Sequence, residues 1–275
     1  MPTTFDTTIA FIGGGNMASA IIGGLVRQGL PAARVRVVEP FAETRAKLLA
    51  DHGVQALEHA GPALADAGLV VWAVKPQVFA EAAAPVRAHA AGALHLSVAA
   101  GIRSDSIARW LGSERIVRAM PNTPALVGLG MTGLFARDAV SAADRAQVEQ
   151  VIATTGAALW VEQEAQLDAV TALSGSGPAY VFYFLEAMVQ AGTAMGLSAA
   201  QAQQLAVGTF AGAAELARRS DEPLATLRQR VTSKGGTTYA AITAMQDAGG
   251  GPAFERAMQA AEQRARELGD EFGKA

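Results

Sequence analysis

The chain has 275 residues, 51% hydrophobic and 17% charged, with a formal net charge of -3. That length suits one large or two ordinary domains, the apolar share argues against disorder, and the near-balanced charge gives no reason to expect nucleic acid. Cysteine is absent, which excludes disulfides and thiolate chemistry, and the four histidines (His52, His59, His89, His95) have no metal-ligand spacing, so no metal is expected.

The N-terminal MPTTFDTT lacks the basic start and apolar run of a signal peptide. No 18 apolar residues run uninterrupted, so no membrane span is expected and the cytoplasm is the default compartment. Residues 8–13 (TIAFIG) read as a buried strand. Residues 16–28 follow as a helix, with Met17, Ile21, Ile22 and Leu25 at helical spacing. Strands are then expected at 35–38, 69–74, 93–98, 116–120, 131–135 and 158–161, and helices at 42–51, 77–90 and 142–154. The alternation predicts βαβ units: an α/β, doubly wound, mostly parallel sheet covered on both faces.

After Glu162 the texture becomes helical, with segments expected at 178–196, 199–220, 223–231, 237–248 and 251–268. Gly196, the Gly249–Gly251 run and Gly269 read as helix stops. Small residues such as Gly208, Ala211, Gly212, Ala213 and Ala214 permit close helix approach, in a core or at a subunit interface. The predicted division is therefore residues 1–162 and 163–275.

The first strand ends in Gly13-Gly14-Gly15-Asn16-Met17-Ala18, a G-x-G-x-x-A pattern opening a helix. Gly13 suits the tight turn, Gly15 lets backbone approach a dinucleotide diphosphate, and Ala18 allows close helix–strand packing. The anion would sit at the helix start, on N–H groups such as those of Gly14, Asn16 and Met17. The second strand ends at Glu39, an acid placed to bond a ribose 2′-hydroxyl, which leans towards NADH over NADPH; the alternative is a solvated loop carboxylate. Arg36 and Arg45 are near enough in sequence to take a 2′-phosphate instead. Ala73-Val74-Lys75-Pro76, Ala99-Ala100 and Pro121-Asn122 end later strands at the edge where such folds bind ligands. Asn122, between Pro121 and Pro124, sits in a stiff loop suited to walling a nicotinamide.

The chain resembles the Δ1-pyrroline-5-carboxylate reductase family, through FIGGGNMA (11–18), AVKPQ (73–77), RAMPNTPA (118–125), SGSGPAY (174–180) and VTSKGGTT (231–238). The resemblance implies a Rossmann domain joined to an all-helical, dimerising domain, with dimers commonly assembling further, often to a decamer. It also implies reduction of a cyclic imine carrying a carboxylate to L-proline with NADPH or NADH.

Ser233-Lys234-Gly235-Gly236-Thr237-Thr238, ahead of a helix, reads as a backbone nest for an anion, and the resemblance assigns it the substrate carboxylate. It places Thr238 near the ring nitrogen, to orient the imine; a helix cap is the plain alternative. Family members often carry proline where Lys234 stands. Ser174 and Ser176 are candidates to line the gap between nicotinamide and substrate, or else a capped helix start. Tyr180 and Tyr183 are expected in the helical core, and the histidines on surfaces or helices without a role. Rival readings are a β-hydroxyacid-type dehydrogenase, for which Lys234 would have to serve as base, and a non-catalytic dinucleotide sensor.

Overall fold

A computed structural model describes residues 7–90 and 92–273; the expectations for the extreme N-terminus fall partly outside them. Contacts divide the chain into two compact units, residues 1–176 with 261–275, and residues 177–260.

The first unit opens with β1 (Thr8–Ile12), α1 (Asn16–Arg27), β2 (Val35–Val38) and α2 (Ala42–His52). Next come β3 (Ala67–Trp72), α3 (Phe79–Arg87), β4 (Leu94–Ser97), α4 (Ser104–Leu111) and β5 (Ile116–Met120). It continues through β6 (Gly130–Ala136), α5 (Ala142–Ile152), β7 (Gly156–Trp160) and α6 (Gln166–Val170), which runs into a π-helical turn, Thr171–Gly175. The seven strands form one sheet in the order β2-β1-β3-β4-β5-β6-β7. The first five are mutually parallel, β6 is antiparallel to β5, and β7 is parallel to β6.

Both faces are buried, as the β-branched runs require. On one, Ile9, Phe11, Val37, Val71 and Leu96 pack against Ile21, Ile22 and Leu25 of α1 and Val148, Val151 and Ile152 of α5. On the other, Ala10, Ile12, Val70 and Trp72 pack against Phe79, Ala83 and Val86 of α3 and Ile107 and Leu111 of α4. The period-2 alternation of β1 supplies both layers from one strand.

The second unit is helical: α7 (Gly177–Ala194), α8 (Ala199–Arg219), α9 (Leu224–Arg230) and α10 (Thr237–Asp247). The last helix, α11 (Gly250–Phe272), begins in this unit and its residues from Ala261 belong to the first. Among the described residues no helix is long and apolar enough to cross a membrane, and no group of three or more His, Cys, Asp or Glu could hold a metal.

Three expectations are corrected, and a helix is added to those expected. Gly269 does not stop α11: the helix runs through it to Phe272, and the missing side chain makes room for the Arg103 guanidinium, which would lie 3.1 Å from a Cβ. Tyr183 is not in a core but 69% exposed; Tyr180 is half-buried, edge-on to Phe254 at 5.6 Å. Helix α4 was not expected at all. His95 is neither a surface nor a helix residue: it lies buried on β4, where its Nδ1 accepts a hydrogen bond from Trp72 Nε1 at 3.2 Å.

Burial, and then the positive charge of Arg115, lowers the His95 pKa from 6.5 to about 4. In the unfolded chain this imidazole titrates at its ordinary value, so between those limits the unfolded state binds a proton that the folded state does not. His95 therefore adds stability above pH 6.5 that is lost as the pH falls towards 4. Its share of the loss between pH 7 and pH 5 should be about 2 kcal/mol. Urea unfolding at those two pH values should show a smaller difference for His95→Gln than for the wild type; equal differences would mean that His95 does not titrate on unfolding.

Candidate active site

Strands β1 to β5 all point their carboxyl ends to one edge, and five loops emerge there side by side. The chain departs from β1 to β2 on one side and returns to β3 on the other, which makes a crevice between the β1 and β3 ends. Gly13 adopts φ +94°, and a Cβ there would come 2.6 Å from the Ala73 carbonyl oxygen. Its N–H donates to the Val38 carbonyl at 2.9 Å, while the Ala73 N–H donates to that of Ile12 at 2.8 Å. Only glycine fits this crossing.

Gly15 is the N-cap of α1, with an ordinary φ of -67°. No side chain caps the helix and its first turn carries no acid. A Cβ on Gly15 would face open space. The glycines thus differ: Gly13 is required by the protein's own packing, whereas Gly15 leaves room for something else. Ala18 is fully buried against the sheet. The opening suits an anion: charge-assisted N–H bonds at about 2 kcal/mol each outweigh the helix dipole, worth about 0.5–1 kcal/mol at an exposed end.

Glu39 is 5% exposed, so it is not a solvated loop carboxylate. Its Oε2 accepts the Gly14 N–H at 2.8 Å and its Oε1 the Phe41 N–H at 2.9 Å. Each oxygen retains acceptor capacity for a hydroxyl. Arg45 donates through Nη1 to the carbonyls of Glu39 and Pro40 and through Nη2 to Glu58, 3.2 Å away. Arg36 is held by the Ala33 carbonyl and by Asp66. Both arginines that could receive a 2′-phosphate are therefore already engaged.

Beside this carboxylate lies a cavity of about 370 Å³ lined by Ile12, Gly13, Val38, Phe41, Val74 and Val78. Phe41 and Val78 escape a reading of the sequence, because they meet only after β2 and β3 pair through β1. Their one local signal is a large apolar side chain just past a strand end. Lys75 stands exposed at the next turn, before Pro76. Ala99 is buried and its N–H donates to Ser97 Oγ, whereas Ala100 is exposed.

Pro121 is buried, and Asn122 uses its whole amide within the protein. Its Oδ1 accepts the Met131 N–H at 2.9 Å, and its Nδ2 donates to Ser174 O and Oγ, both at 3.2 Å. Ser174 is not in a simple turn before a helix: it lies in the π-helical turn closed by the Ser176 N–H on the Thr171 carbonyl at 2.8 Å. Such turns occur often at functional sites.

In the second unit, residues 233–236 turn tightly into α10. Gly235 has φ +77°, and the Gly236 N–H closes the turn on the Ser233 carbonyl at 3.0 Å. Gly236 is the N-cap of α10, again with no side-chain cap and no acid in the first turn. Thr238 is thus the second helical residue, so a role as N-cap falls away. Ser233, Lys234, Gly235, Thr237 and Thr238 are all exposed.

The family model for pyrroline-5-carboxylate reductase dimerisation matches residues 164–268, and that for coenzyme F420-dependent NADP oxidoreductases matches residues 8–101. Pyrroline-5-carboxylate reductase of Pseudomonas aeruginosa is 48% identical over 97% of this chain and 98% of its own. That of Haemophilus influenzae is 43% identical over 94% and 97%. Among solved structures, a pyrroline-5-carboxylate reductase from Coxiella burnetii superposes with a TM-score of 0.90 at 37% identity, covering 95% of this chain and 98% of that one. A Plasmodium falciparum pyrroline carboxylate reductase with NADP bound gives 0.86 at 25% identity, covering 97% and 100%.

The two glycines generate opposite expectations. Gly15→Ala should leave the melting temperature unchanged and weaken NADH binding, followed by nicotinamide fluorescence, by about tenfold or more. Gly13→Ala should lower the melting temperature, since a left-handed alanine costs about 1–2 kcal/mol before its clash with Ala73 is counted. Unaltered NADH affinity in Gly15→Ala would mean that no diphosphate approaches that residue.

Proposed function

The chain belongs to the family of pyrroline-5-carboxylate reductases, NAD(P)H-dependent oxidoreductases, and from that premise we propose how its residues reduce the cyclic imine of 1-pyrroline-5-carboxylate to L-proline. The observation that carries the reading is the pair of tight glycine turns, at 13–15 and 235–236, each feeding a helix with neither side-chain cap nor first-turn acid. Two anions need two such places: a dinucleotide diphosphate and a substrate carboxylate.

The open backbone at Gly15 fits a diphosphate, received by the first-turn amides at Asn16 and Met17 with Gly14 behind them. Glu39 takes the adenosine ribose, and the cavity beside it takes the adenine. Ala73, Val74, Lys75, Pro76, Ala99, Ala100, Pro121 and Asn122 line the path towards the nicotinamide end. Reduced nicotinamide, when bound, supplies the hydride.

The substrate carboxylate is gripped by the turn Ser233–Lys234–Gly235–Gly236 with the amides of Thr237 and Thr238, and Lys234 adds attraction at long range. Ser174 and Ser176 border the imine. The reaction adds one hydride to the imine carbon and one proton to nitrogen. A protonated imine is already electrophilic, so the side chains need only orient it. The Thr238 hydroxyl, not used as a cap, bonds the ring nitrogen and holds the imine carbon at the hydride donor. A hydroxyacid dehydrogenase would instead need a lysine base, and Lys234 is better suited to anion contact in this turn.

We propose a homodimer formed through the helical unit, with further assembly to a decamer, in the cytoplasm. Supporting the dimer are the dimerisation model over residues 164–268 and the exposed Phe182, Tyr183, Leu205 and Leu216 of the second unit.

Adding pyrroline-5-carboxylate to the protein with NADH or NADPH should consume nicotinamide absorbance; no loss with either cofactor would overturn the assignment. Thr238→Ala should lower kcat about tenfold or more, and wild-type turnover would remove Thr238 from the mechanism. Because Glu39 repels a 2′-phosphate, and Arg36 and Arg45 would each have to leave a carboxylate partner to meet one, NADH should be preferred. Glu39→Ser should raise the NADPH/NADH ratio of kcat/KM by about tenfold; a constant ratio would mean that Glu39 does not face the ribose.

A further inference from the structure

Glu164, in the turn before α6, has no place in the chemistry above, yet it joins α4 and β5 of the first unit. Its Oε1 accepts the Ser104 N–H at 2.6 Å and Arg118 Nη1 at 2.7 Å, and its Oε2 accepts Ser104 Oγ at 2.7 Å. Arg118, on β5, is 7% exposed, and its Nε is buried without a partner. Asp168 also feels its charge, but among the described residues the one ion pair of this buried guanidinium is to Glu164, and it depends heavily on that contact. Arg137, just past the end of β6, closes the group through Nη1 on Ser104 Oγ at 3.0 Å and ion pairs to Asp105 and Glu114.

Two stretches of chain leave this knot. From Arg118, β5 runs to its end at Met120 and the chain continues through Pro121 to Asn122. From Glu164, the chain passes through α6 and the π-helical turn to Ser174. They meet again where Asn122 donates to Ser174 O and Oγ. Just past the amide end, a Cβ on Gly175 would lie 2.4 Å from Met120 Cε, and along the second stretch Val170 packs on β6, where a Cβ on Gly133 would lie 2.7 Å from its Cγ1. The two stretches form a closed frame, with an ion pair at one end and an amide at the other.

We propose that Arg118 and Glu164 are positioning residues which, across this frame, hold Asn122 and the Ser174–Ser176 turn at the geometry that hydride transfer requires. The proposal rests on the functional reading above. Breaking the ion pair lets the π-helical turn relax at its far end, so the reacting atoms lose alignment while the dinucleotide's adenosine half stays seated on β1 and β2. The effect falls on kcat, because a shift of one ångström at the reacting centre is enough to cost rate.

The test compares Glu164→Gln, which keeps an acceptor for Ser104 but removes the charge, with Glu164→Gln/Arg118→Met, which removes the charge from both partners and so leaves no buried unpaired cation. Both should lower kcat by about tenfold or more while ADP-ribose affinity stays within about twofold of wild type. In the ligand-free protein, amide exchange at residues 171–176 should speed up in both. The double variant should recover melting temperature without recovering kcat, and Glu164→Asp should restore part of the turnover. Full kcat in the double variant, or exchange at 171–176 matching wild type, overturns the proposal. A wild-type protein with no reductase activity would instead sink the functional reading, leaving the exchange result to judge the frame.

Discussion

The contact between Gly13 and Ala73 is the constraint on which the first unit's binding edge depends. Strands β1 and β3 lie side by side, and the loops leaving them cross so closely that the Gly13 α-carbon rests on the Ala73 carbonyl. A side chain there would push the loops apart. With none, α1 starts directly over the sheet edge, and its first-turn amides open beside the crevice. Glu39 fixes the same turn from the other side through the Gly14 N–H. The turn is therefore held by backbone and one buried carboxylate, and it is ready for an anion before any anion arrives.

This arrangement accounts for the sparse chemistry of the chain. A reduction that adds hydride to an already electrophilic carbon asks for position more than for acids and bases. His95 is spent on packing: it stays neutral under Trp72 rather than titrating in a cleft. The proposed grip on both anions comes from backbone N–H groups, whose charge does not vary with pH. Side chains such as Asn122 serve by locking loops to one another. Rigidity of this kind is built from many long-range bonds, and the Glu164 knot is one such group.

The same distinction explains what the sequence reveals. Elements with a local cause are legible: β1 through its β-branched run, α1 through the glycine pattern ahead of it, and the stop after α7 through Gly196, which takes φ +99°. Elements whose cause lies far along the chain are not. Helix α4 carries only a short apolar stripe, and the acceptor for its first N–H is Glu164, sixty residues away in sequence. Gly269 reads as a stop because nothing nearby announces that Arg103 needs the space. The apolar cavity wall at Phe41 and Val78 exists only once β2 and β3 have paired through β1. The candidate anion turns were readable because glycine spacing is local, whereas the frame that steadies Ser174 is a product of the fold.

The central claim is that backbone amides at two separate glycine turns hold the two anions of one reaction. The most direct measurement is a crystal structure of the assembled protein with oxidised dinucleotide and proline both bound. The account predicts the diphosphate on the amides of residues 15–17 and the proline carboxylate on those of residues 235–238, with the nicotinamide ring against the proline ring. Either anion bound away from its turn, or the two ligands in cavities that do not meet, would contradict it.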